Sequence, residues 1–227
     1  MSNLIDPDRP LMAFITKMAY SAYLNILWLI CCLPIVTIGA STTALFYVTL
    51  KMAEDRDDGL TGMFFRAFRQ NFLPATKLWL VLLGAGAFLA MDGYIVWHIW
   101  SQSIFWTLVA ALLIVAAIVY AVVLLYAFPL LARFENTTFG ILKTALLVGL
   151  RYLVCTLLMA GIYFLMGWVV VNLFTPAFLL GFGCCAMLCS FLLVNIIHAI
   201  GGDPDAALAA QDAESKEDGE NQNAADE

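Results

Sequence analysis

From Met18 to Leu50 the chain runs for 33 residues without an Asp, Glu, Lys or Arg, interrupted by Pro34 and Gly39. Roughly 20 apolar residues cross a hydrocarbon core of about 30 Å, so this stretch is too long for one span and suits a helical hairpin. Further apolar runs give spans near 18–35, 40–53, 73–97, 104–131, 145–171 and 176–199. The pattern predicts an all-α, polytopic membrane protein of about six membrane helices, the first two forming a hairpin. The second, Ala40 to Ala53, would rise only about 21 Å. It must pack against neighbours or lie partly in the interface, and a re-entrant second segment would leave five spans. The expected organisation is an N-terminal segment at 1–17, a helical membrane domain at 18–199 and a tail at 200–227.

Between the second and third spans, Thr61 to Leu73 places Phe65, Phe68 and Phe72 at i, i+3 and i+7, with Arg66, Arg69 and Gln70 on other faces. This is the pattern of an amphipathic helix lying on a membrane surface. It reads as a simple connector or, through Phe65, Arg66, Phe68, Arg69, Asn71 and Phe72, as a docking platform for a cytoplasmic partner. Phe65, Arg69 and Lys77 have equivalents 74 positions later in Phe139, Lys143 and Arg151, a faint internal echo.

Composition removes the soluble alternative, because 63% of residues are hydrophobic and 12% charged, against roughly 25% charged in a soluble domain. The formal charge of −6 is unevenly distributed. Asp203 to Glu227 holds nine acids and one Lys, a sum of −8, leaving +2 for the rest; such a tail is expected to be disordered. Lys51, Arg56, Arg66, Arg69 and Lys77 fall in one loop, and Arg133, Lys143 and Arg151 in or beside another. Basic loops stay inside, which predicts a multi-pass cell-membrane protein with both termini cytoplasmic. Tyr94, Trp97, Trp100, Trp106 and Trp168 then form an outer aromatic belt. The acidic N-terminus lacks the basic region of a secretory signal, so no cleaved leader is expected.

Three polar residues stand out within the apolar runs. Asp92 is the only acid placed inside a span; it reads either as a wetted group near the outer interface or as part of a pathway. Arg151 reads as a snorkelling cation, or as the partner of Glu135 or of an anionic group. Asn25 is suited to hydrogen bonding between helices. The six cysteines all lie in apolar segments and read as packing residues. There is no Walker A motif, no Gly-x-Ser-x-Gly, no His-Glu-x-x-His and no Cys/His cluster. The expectation is a non-enzymatic protein with no cofactor, no metal and no nucleic-acid partner, living in the lipid bilayer.

The first hairpin carries Asn25-Ile-Leu-Trp28 and Leu33-Pro-Ile-Val-Thr-Ile-Gly39-Ala-Ser-Thr-Thr43-Ala, followed by Lys51 and by Phe64-Phe-Arg-Ala-Phe68-Arg-Gln-Asn71-Phe72. This resembles the YesL-like family of bacterial membrane proteins over residues 5 to about 78, and more loosely beyond. Phe128-Pro-Leu-Leu-Ala-Arg133-Phe and Leu142-Lys-Thr-Ala-Leu146 look like its continuation. The resemblance implies a domain of unknown function, often encoded beside ABC sugar importers, and so an accessory or regulatory role with importer subunits as partners. The alternative is an independent small-molecule transporter or channel. In the hairpin motif Pro34, Thr37 and Gly39, the proline and glycine are expected to shape an outer turn, with Ser41 or Thr42 capping the helix after it.

Overall fold

The computed structural model describes residues 10–54, 59–99, 104–134, 137–172 and 178–201. These form α1 (Pro10–Cys31), a single 3-10 turn (Ile35–Thr37), α2 (Ile38–Ala53), α3 (Leu60–Gln70), α4 (Phe72–Ile99), α5 (Ile104–Arg133), α6 (Thr138–Arg151), α7 (Leu153–Asn172) and α8 (Phe178–Gly201). The protein is an all-α, polytopic membrane protein. Five helical segments are long and apolar enough to cross a bilayer, and Ile15–Cys31 is a shorter apolar stretch. The expected short second segment is α2, Ile38–Ala53, 16 residues, which with its 3-10 turn runs Ile35–Ala53. The acidic tail lies outside the described residues.

α2 is the central helix, with 12 of its 16 residues buried. Its small and hydroxylated residues, Gly39 to Ala44, admit neighbours on several sides. Where water is scarce each hydroxyl needs an internal partner. Ser41 Oγ donates to Trp28 O at 3.1 Å, Trp28 Nε1 donates to Thr42 Oγ1 at 3.1 Å, and Ser190 Oγ donates to Thr49 Oγ1 at 2.8 Å. These bonds tie α2 to α1 and α8. They also revise the expected cap, because Ser41 and Thr42 sit within α2 and serve α1, while Thr37 precedes the helix without a side-chain cap bond.

α4 and α5 form a long antiparallel pair. Tyr120 Oη donates to Leu82 O at 3.0 Å, and nearer the base the rings of Trp79 and Phe128 are 6.3 Å apart. α2 runs obliquely across that base. At its start, a Cβ added to Gly39 would lie 2.6 Å from Ala75 O and from Trp79 Cβ, so only glycine admits this crossing. Trp79 Nε1 donates to Ile35 O at 2.9 Å. Just beyond the other end of α2, Glu54 pairs with Arg133.

Of the hairpin motif, Pro34 stands at the reversal as expected, whereas Gly39 does not. The tip of the hairpin packs beside Ala75 to Trp79, at the end of α4 that carries Lys77, and Gly39 is a helix-crossing residue inside α2. The reversal itself is made at Leu33 and Pro34, braced by Thr37 Oγ1, which lies within hydrogen-bond reach of Cys31 O (2.6 Å) and Pro34 O (2.7 Å).

The distal part of the pair projects away from this core. Among its large apolar residues Phe88, Met91, Ile104, Leu108 and Leu112 are exposed, and so are Val154, Leu157 and Phe164 of α7. Exposed apolar surface on this scale suits acyl chains, not water. The expected span at 145–171 is divided. Tyr152 leaves helical geometry at φ −110, ψ 53, and Thr156 Oγ1 lies 2.9 Å from Gly149 O and 3.1 Å from Tyr152 O. A hydroxyl reaching a carbonyl seven residues back requires a corner there, so α7 alone, Leu153–Asn172, is the apolar span.

Candidate functional site

α3 is built on a buried aromatic edge. Phe64 and Ala67 are fully buried, Phe68 stacks on Phe64 at 6.5 Å, and Phe72 meets Phe68 edge to face at 5.6 Å. Of the expected triad, Phe68 and Phe72 lie on this edge, and Phe64 takes the place expected for Phe65. Phe64 is the anchor, while Phe65 is 45% exposed. The spacing Phe64, Ala67, Phe68 carried the same signal, but Ala67 is too small to rank as an apolar anchor by sequence.

Turned away from that edge, Phe65, Arg66, Arg69 and Gln70 line an open cleft of about 620 Å³. Both arginines are exposed. A second cleft of about 590 Å³ adjoins the start of the helix, lined by Tyr20, Tyr23, Gly59, Leu60 and Thr61; there Tyr23 Oη and Thr61 Oγ1 are 3.1 Å apart. The surface combines an aromatic ring, two guanidinium groups and amide and hydroxyl donors. It can recognise an acidic, partly apolar segment of another protein. Asn71 is absent from this surface. Its Nδ2 donates to Ala67 O at 3.1 Å and its carbonyl accepts from Ala75 N at 2.9 Å, so it forms the joint between α3 and α4.

The three polar residues of the spans do not converge. Asn25 is fully buried on α1, where its Oδ1 accepts from Gly183 N of α8 at 3.1 Å. One turn earlier, Ser21 Oγ donates to Gly183 O. The pair grips one residue of α8, where a Cβ would come within 2.9 Å of Asn25 Cβ. Asp92 is half-buried near the far end of α4. Arg151 closes α6 instead of standing two turns into a span, and its guanidinium lies 5.8 Å from the Tyr152 ring centroid. The Glu135 proposed for it lies outside the described residues.

A second polar cluster joins residues far apart in the chain. Glu54 follows α2, Arg133 ends α5 and His198 lies in the last turn of α8. Arg133 Nη1 donates to Glu54 Oε2 at 3.1 Å. Nη2 lies 2.8 Å from Oε1 but off the hydrogen-bonding direction, so that contact is coulombic. His198 Nε2 is 3.1 Å from Oε1. The Glu54 side chain is 8% exposed. Each of the three residues ends an apolar run; that was the available signal, and nothing local pairs residues 79 and 144 positions apart.

The comparisons bear on the first half of the chain. Residues 21–93 match the family model described as "Protein of unknown function, DUF624". No curated protein and no solved structure matches the chain. The DUF624 segment takes in most of α1, the hairpin motif, α2, Glu54, α3 and α4 as far as Gly93. It includes the α3 surface whole. It leaves out Gly183, Arg133 and His198, so the DUF624 segment depends on later helices to satisfy Asn25 and Glu54. Among the described residues no group of three or more His, Cys, Asp or Glu is placed to hold a metal.

Proposed function

We propose that this protein is a non-enzymatic accessory or regulatory component of the cell membrane that docks a cytoplasmic partner through α3. The observation that carries this is the exposed Phe65, Arg66, Arg69 and Gln70 cleft, mounted on a fully buried Phe64 anchor. A rigid base beneath an exposed aromatic and two cations is what a recognition surface needs. Exposed cations on or beside the two short helices, Arg66, Arg69, Lys77, Lys143 and Arg151, support a cytoplasmic α3 and cytoplasmic termini under the positive-inside rule. The YesL-like resemblance of the hairpin and α3 supplies the partner class, subunits of a carbohydrate ABC importer.

Affinity purification of the tagged full chain from its native membrane in mild detergent tests the reading. Importer subunits should be recovered with the natural protein and lost on Arg66→Glu with Arg69→Glu. Unchanged recovery from a folded double variant would remove α3 as the docking surface.

A further inference from the structure

The two short helices present different faces. At about 100° per residue, the exposed side of α3 carries Thr61, Arg66, Arg69 and Gln70, with Phe65 its large apolar member. On α6, Ile141, Ala145, Val148 and Gly149 are buried; Gly149 packs against Val122 and Tyr126 of α5. The opposite side of α6 is apolar and cationic at once. Phe139, Leu147 and Leu150 are 66%, 67% and 55% exposed, and Lys143 and Arg151 are exposed among them. α6 contains no Asp or Glu. Large apolar groups at this exposure are costly in water, and cations are costly among acyl chains, so the face fits the level where phosphates meet hydrocarbon.

The corner at Tyr152 gives a second and independent marker of that level. Directly after Arg151, α7 begins its exposed apolar surface with Leu153, Val154 and Leu157. Arg151 thus stands where a lipid-facing span starts. Lys143 Nζ is held 4.7 Å from the Phe139 ring centroid and Arg151 is held against Tyr152, so both cations are positioned by their own helix. Among the described residues no carboxylate forms an ion pair with either.

We propose that the α6–α7 corner binds an anionic phospholipid. Its phosphate engages Arg151 and its acyl chains lie against Leu153, Val154 and Leu157, while Lys143, two turns back along α6, draws anionic headgroups to the same level. The α3 face, richer in polar groups, takes no part, so the site is independent of partner docking.

The test uses the full chain in nanodiscs of phosphatidylcholine with a minority of phosphatidylglycerol, extracted gently, with retained lipids counted by mass spectrometry. Phosphatidylglycerol should be enriched over its bulk fraction. Enrichment should fall about fivefold for each basic residue removed in Lys143→Gln and Arg151→Gln, the effect of one cation near an anionic surface. Arg66→Gln with Arg69→Gln should leave it unchanged. If the double variant does not fold, Lys143→Gln alone should show the single fivefold loss. Equal enrichment in the variants, or none in the natural protein, would overturn the proposal. So would equal thermal stabilisation by inorganic phosphate in discs of phosphatidylcholine alone, which would assign the cations to a free anion.

Discussion

Glu54 shows how much can depend on one carboxylate. It neutralises Arg133 and meets His198 where three helices end, and both acid and arginine are largely shielded from water. Removing one partner of a buried pair strands the other charge, at a cost of about 3–5 kcal/mol, whereas removing both leaves nothing stranded. Glu54→Gln should therefore destabilise the protein by about 3 kcal/mol, and Glu54→Gln with Arg133→Gln should recover most of that loss. Reversible unfolding in mixed detergent micelles would measure all three variants. Additive losses would mean that the pair is solvated and contributes little. Asn25 and Ser21 act differently, since each hydrogen-bonds a backbone group of α8 and holds no charge. Asn25 was legible as an interhelical hydrogen-bonding residue; its partner, a glycine 158 positions away, was not.

At the scale of elements, α3 separates stability from recognition within two adjacent residues. Phe64 is fully buried and Phe65 is exposed, although both are phenylalanine in the same turn. Truncating a buried phenylalanine costs about 3–5 kcal/mol, while exposed positions usually change stability by about 0.5 kcal/mol or less. Phe64→Ala should lower the thermal midpoint and release the partner through loss of the helix. Phe65→Ala should leave the midpoint alone and weaken partner recovery only. If both lower the midpoint equally, Phe65 is a packing residue and the cleft is incidental. The amphipathic period found the helix to within a few residues and placed Phe68 and Phe72 on its packed face, but it chose Phe65 over Phe64, because two adjacent phenylalanines fit the same spacing. The joints were harder to see. The joint at Asn71 is followed by Pro74, whereas Tyr152 ends α6 with no Gly or Pro close after it, so an apolar run passed through Tyr152 unbroken. The 74-residue echo does not fall at equivalent places, since Lys77 lies inside α4 and Arg151 closes α6.

For the whole molecule, Lys51 near the end of α2, Arg133 at the end of α5 and the Lys and Arg residues of α3 and α6 set the orientation to be tested. A fluorescent protein fused after Glu227 should fluoresce, and alkaline phosphatase inserted between Ile99 and Ile104 should be active, because the first needs the cytoplasm and the second the outer side. Two inactive reporters in a stably expressed protein would count against that topology. The length of the runs, the scarcity of charge and the distribution of Lys and Arg determine by themselves that this chain is helical, membrane-embedded and polytopic. Those properties depend on each segment's own transfer into lipid, which composition sets locally. Tertiary structure alone decided that α2 crosses the base of the α4–α5 pair, that Gly39 serves the crossing and not the turn, and that Glu54, Arg133 and His198 meet. Each of these depends on the close approach of residues far apart in the chain. In a membrane that approach is governed by small side chains and hydrogen bonds between helices, because apolar patterning does not distinguish a neighbouring helix from lipid.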